Sequence, residues 1–296
     1  MTGGTVRLRL PDGAEFEGPI VDLRGVDADV SPAAILAAIR AGCPTRPDRP
    51  TVYAPPPTRV HTHVCRLSPE IPLDRRAALA AVGAARGVET TSDADLAAAK
   101  RSLRDLSVPT VDDAELRAAR RRAAEAGSET ERLRERVATL RGRVAARRVD
   151  GDDDAVAEAE TALSEATREL SEASTEEVAA TQRLATLERR ADRSRDAREK
   201  RLRLEDRIAN RRRARRAAHA DAVEPDFRDA RGRIGSALGG RFGTCGDDAG
   251  TPLRDALAVA AVAPIRAPVV VDPDVVSALG GPEATFERLD APLVIR

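Results

Sequence analysis

Residues 130–173 read TERLRERVATLRGRVAARRVDGDDDAVAEAETALSEATRELSEA, and this stretch decides the fold because its apolar and small positions mirror one another. Thr130 and Ala173, Leu133 and Leu170, Val137 and Ala166, Leu140 and Leu163, Val144 and Ala159, and Arg147 and Val156 are each equidistant from a point between Gly151 and Asp152. Further out, Ala119 mirrors Leu184 and Leu116 mirrors Leu187. Within 130–173 both series step alternately by three and four residues, the spacing that keeps one helical stripe against a partner helix. The acidic run Val149-Asp150-Gly151-Asp152-Asp153-Asp154 sits at the mirror centre and supplies the turn. The spacing therefore predicts an antiparallel helical hairpin. Its ascending arm begins at Asp112 or Asp113, acceptable N-caps, and its descending arm runs to about Ala222, before Pro225. The descending arm would extend about 100 Å at 1.5 Å per residue, longer than its partner. The helical pattern Leu96, Ala99, Leu103, Leu106, cut off by Pro109, is placed to cover the remainder.

Both flanks of the hairpin are mixed. Val6 to Leu10 and Phe16 to Leu23 read as a β-hairpin around Pro11-Asp12-Gly13, and Ser31-Pro32 caps a short helix that stops at Gly42. Thr51 to Ala54 and Arg59 to Leu67 read as strands, Leu73 to Ala85 as a helix ended by Gly87, and Phe227 to Leu238 as a separate helix after Pro225. At the C-terminal end a buried helix over Leu253–Val262 precedes strand, helix and strand over Pro268–Ile295, the order of a parallel β-α-β unit. The expected fold is α+β: a small mixed α/β head formed by both termini, 1–92 and 225–296, with the coiled-coil hairpin 93–224 inserted.

Composition narrows the function classes. Charged residues make up 33% of the chain and aromatic residues 2%, which suits long solvated helices better than one thick core. Formal net charge is zero, so electrostatic recognition has to come from local patches. Cys43, Cys65 and Cys245 lack the paired spacing of a disulfide framework, and no segment reads as a leader or membrane span, so a cytoplasmic protein is expected.

Two clusters carry chemistry. In His61-Thr62-His63-Val64-Cys65, read as a strand, His61, His63 and Cys65 project to one face and present three zinc ligands, with Cys43 or Cys245 as a fourth. That reading makes the head a metal-dependent enzyme; a half-buried structural strand is its plain alternative. The run from Arg207 through Arg211, Arg212, Arg213, Arg215 and Arg216 sets arginines on successive helical turns, as for a phosphate backbone. A solvated helix face explains the same run. The glycine-rich stretch Gly235–Gly246 does not match a Walker A loop, and Asp272 and Asp274 at a strand end read as a turn and cap. No nucleophile–base arrangement and no cofactor motif emerges from spacing.

A head interrupted by an antiparallel coiled coil resembles, in layout only, the structural-maintenance-of-chromosomes and double-strand-break-repair ATPases. Their ATP chemistry is not implied, because the chain has no Walker A motif and its two lysines, Lys100 and Lys200, stand elsewhere. In composition, and in the segments Phe16–Arg24 and Ala267–Pro273, the chain resembles an uncharacterised haloarchaeal family of coiled-coil proteins, a likeness that implies no activity. The sequence thus points to a non-enzymatic interaction or scaffold protein that docks a partner or self-associates through its coiled coil. A chromosome-associated nucleic-acid binder and a metal-dependent enzyme are the alternatives.

Overall fold

The computed structural model describes residues 4–26, 30–42, 48–151, 153–239 and 252–296. The protein is mixed α/β with one long helix, and it divides into two compact units, Met1–Ala97 with Ala209–Arg296, and Ala98–Ile208.

The first unit holds two sheets. β1 (Val6–Arg9) pairs antiparallel with β2 (Glu15–Gly18) and with β4 (Thr51–Tyr53), giving the order β2-β1-β4. β3 (Ile20–Asp22), β5 (Arg66–Leu67), β6 (Val269–Val271) and β7 (Leu293–Ile295) form a parallel sheet in the order β3-β7-β6-β5. The run expected as one strand from Phe16 to Leu23 is therefore split between sheets. Pro19 has no N–H for a ladder, and Gly18 at φ +154° lets the chain turn out of the first sheet.

Alternation decides which layer each strand residue enters. Val21, Val270 and Val294 face a core with β1 and with Ile35, Leu36 and Ile39 of α1 (Pro32–Ala41), which Ser31 caps by accepting the Ala34 N–H. Val269, Val271, Leu293 and Ile295 face the larger core, so the short parallel strands are buried on both sides. That core is built with α3 (Arg75–Ala85), α7 (Pro252–Val262), α8 (Pro273–Ala278), α9 (Pro282–Leu289) and the last turns of α6 (Asp153–Leu238). The β6-α8-α9-β7 segment is the parallel crossover expected from sequence.

α6 corrects a helix boundary. It passes Pro225, where an end was expected, and absorbs the segment read as a separate helix. Proline removes one N–H and costs about 3 kcal/mol inside a helix. Ala220, Val223, Phe227, Ala230, Ile234 and Leu238, spaced at three and four, are all buried in the larger core. Burying side chains of this kind contributes about 1.5–3 kcal/mol for each large one, which outweighs a single lost bond.

In the second unit α5 (Asp113–Asp150) begins at Asp112, whose carboxylate accepts the Ala114 N–H. It ends at Gly151, left-handed at φ +76°, whose N–H donates to the Arg147 carbonyl. α5 buries Thr130, Leu133, Val137, Leu140 and Val144 and leaves the residues between them exposed. On α6 the small residues Ala159, Ala166, Ala173 and Ala180 recur every seven positions, and Ala166 is fully buried in one cluster with Val137 and Leu140, against which Leu163 and Leu170 pack. Arg148–Glu160, Arg136–Glu169, Arg122–Glu176 and Arg120–Glu188 link the helices, the numbers falling on α5 as they rise on α6. All eight side chains are well exposed, so these pairs fix alignment more than stability. Among the described residues no helix is long and apolar enough to cross a membrane.

Candidate functional site

The histidine–cysteine segment is not the strand the sequence led us to expect. His61–Val64 is a single helical turn, α2, and β5 begins only at Arg66. Alternation, which would have aimed His61, His63 and Cys65 to one side, therefore does not apply. On a turn of helix His61 and Cys65 share a face, while His63 points elsewhere. His61 is 2% exposed, and its Nε2 lies 2.8 Å from the Pro268 carbonyl. Burial lowers its pKa, opposed by that backbone hydrogen bond, and the nearby Arg40 charge lowers it further. A neutral ring donating to Pro268 ties the residues preceding β5 to those preceding β6, a contact that positions two parallel strands. Cys65 is half-buried, with the Arg40 guanidinium 3.6 Å from its Sγ. Cys43 and Cys245, the suggested fourth ligands, and residues 240–246 of the glycine-rich stretch lie outside the described residues. Among the described residues no group of three or more His, Cys, Asp or Glu side chains is placed to hold a metal ion.

The carboxyl edge of the parallel sheet is where such folds bind ligands. There a cleft of about 450 Å³ is lined by Arg66, Ser68, Glu70, Ile71 and Asp272, with two prolines. Its neighbours along the edge serve the chain itself. Asp272 caps α8 by accepting the Asp274 N–H, as the sequence indicated. Asp22 holds Arg24 through three hydrogen bonds, which keep its carboxyl below the usual range, and Arg296 donates to the carbonyls of Leu23, Val26 and Val30. This edge is lined by charged side chains of both signs.

The arginine run is divided by the structure. Arg211 pairs with Asp95 at 2.8 Å and Arg215 with Asp93 at 3.3 Å, both acids on α4 (Ser92–Asp105). Asp93 is held below its usual pKa by the Thr90 N–H and hydroxyl, and then by Arg215. Arg213 donates to the Asn210 side chain, while Arg212 and Arg216 are exposed. These acid partners are not apparent from spacing, because more than a hundred residues separate each pair; the two-residue step Asp93/Asp95 against the four-residue step Arg211/Arg215 is the available signal. Nor does spacing single out Gly83, where a Cβ would stand 2.5 Å from the His219 carbonyl oxygen, or His219 itself, whose Nε2 is 3.0 Å from the Val88 carbonyl.

A family model covers residues 18–293, from β2 to the first residue of β7. The chain belongs to a family of unknown function, DUF7856. The match takes in both parts of the first unit and the whole of the second, so the family is defined with the long helices as part of it. No curated protein and no solved structure matches the chain.

Proposed function

We propose that this member of DUF7856 is a non-enzymatic interaction protein, in which α5 and α6 form an antiparallel coiled-coil arm that docks a protein partner or a second copy. The observation that carries the reading is the reversed order of the α5–α6 ion pairs about a narrow buried stripe of Val137, Leu140 and Ala166. Such a stripe is satisfied by one partner helix, so the rest of each helix surface is left to solvent or to other molecules. The charged edge of the parallel sheet supports the same reading, since its Asp22, Asp272 and Arg296 side chains anchor neighbouring backbone. Three cysteines without framework spacing fit a reducing cytoplasm.

Sedimentation velocity on the full chain from 50 mM to 1 M KCl, with crosslinking of native extracts, tests the proposal. Reversible, salt-sensitive association or a stoichiometric partner crosslinked through α5 or α6 is expected. A strict monomer at every salt concentration, with no crosslinked partner, would overturn it.

A further inference from the structure

Along α6 the sign of the charge reverses between Glu188 and Arg189. Residues 153–188 carry ten Asp or Glu against two Arg, whereas residues 189–216 carry fourteen Lys or Arg against five Asp or Glu. A net charge of zero for the whole chain conceals this division.

The two halves differ in how that charge is answered. The acidic half receives Arg148, Arg136, Arg122 and Arg120 from α5, which has eleven arginines against seven acids, so the adjoining helix offsets half of its acidic excess. The basic half has no comparable counter-helix among the described residues. α4 carries three acids and three bases, so it brings no net charge against this half, although its Asp93 and Asp95 pair with Arg215 and Arg211. Within the stretch, carboxylates of α6 itself hold Arg195, Arg201 and Arg203. Arg190, Arg193, Arg198, Lys200, Arg212 and Arg216 remain exposed. Arg193 and Lys200 are seven residues apart, on one stripe of the helix, and Arg212 and Arg216 are four apart, also on a shared face.

We infer that the basic half of α6 is a binding surface for the phosphate backbone of duplex nucleic acid. Exposed cations repeating along a helix suit a linear polyanion, and release of its counterions supplies the affinity. Stacking on single strands is disfavoured, since residues 189–216 contain no aromatic residue. A lipid surface is disfavoured too, because a membrane-lying helix needs an apolar face and Leu202 is the exposed large hydrophobe of this stretch among the described residues. The surface differs from the arginine run seen in sequence: Arg211 and Arg215 are engaged with α4, and residues 190–200 join. It is independent of whether the coiled coil docks a protein.

The test is fluorescence anisotropy of a labelled 20-base-pair DNA duplex with the full chain between 50 and 300 mM KCl. Engaging about four phosphates gives a log–log salt slope of about −3.6, with little dependence on base sequence. Arg193→Glu/Lys200→Glu and Arg212→Glu/Arg216→Glu should each weaken binding at least tenfold and flatten the slope. Arg141→Glu/Arg143→Glu on α5, an equal change in net charge, should alter it less than threefold. Far-ultraviolet circular dichroism confirms that each variant is folded. Absence of binding at 50 mM KCl, equal losses in the α5 control, or capture by phosphatidylserine vesicles without duplex binding would each overturn the inference.

Discussion

The two units bury apolar surface in different ways. In the first, strands three residues long, such as Val269–Val271 and Leu293–Ile295, are enclosed on both faces, and each side chain meets partners from several elements. In the second, one stripe on α5 meets one on α6, and Leu140 packs among Val137, Leu163 and Ala166 with charged residues on either side. A layered core is thick and cooperative, while a two-helix seam is thin and repeats. A lost side chain should therefore cost more in the first unit than in the second.

Leu293→Ala and Leu140→Ala test this most directly. We expect about 3–4 kcal/mol for the fully buried Leu293 and about 2 kcal/mol for Leu140, whose seam can collapse around the gap. Urea unfolding followed by circular dichroism measures both, and equal costs would break the comparison. Gly83→Ala probes tightness between helices of the first unit. Its new Cβ would lie 2.5 Å from the backbone oxygen of His219, which no side-chain rotation relieves. A loss of about 2 kcal/mol is expected from the overpacking, and a neutral result would show that α3 and α6 separate freely.

His61 sharpens the comparison by titration. Its folded pKa is lowered by burial, so below the unfolded value of about 6.5 the unfolded chain takes up a proton that the folded chain refuses. Stability is then lost as pH falls from about 6.5 towards the folded pKa, by up to about 1.4 kcal/mol at pH 5.5. Urea midpoints at pH 7.5 and 5.5 should converge in His61→Gln relative to wild type; an unchanged pH dependence would remove the residue from this role. The smallest effect is expected from Arg148→Ala, which breaks an exposed pair with Glu160 and should cost less than about 0.5 kcal/mol by the same denaturation assay. A larger loss would show that the seam depends on its ion pairs.

How much was legible follows from the same physics. The start of α5, expected at Asp112 or Asp113, could be read directly, and its end, expected at about Arg148, lies at Asp150 with Gly151 as the cap, because both depend on residues within one or two turns. The parallel crossover from β6 to β7 was legible as a continuous apolar run, a capping Asp-Pro and a second apolar run. The segment His61–Cys65 was misread because a five-residue stretch has too few positions to distinguish alternation from one helical turn. Pro225 was misread because its local penalty is plain in sequence, whereas the burial of Phe227, Ala230 and Ile234 that offsets it is not.

Sequence by itself determined whatever repeats or is local: the three- and four-residue spacing of the apolar stripe on α5, the helix caps, and the reversal of charge at Glu188 and Arg189. Tertiary structure decided what depends on distant partners. It placed His61 against Pro268, engaged Arg211 and Arg215 with Asp95 and Asp93 while leaving Arg212 and Arg216 exposed, and carried α6 through a proline. The reason is that spacing fixes which face a residue occupies, while burial and pairing energies depend on the element that the chain brings against that face.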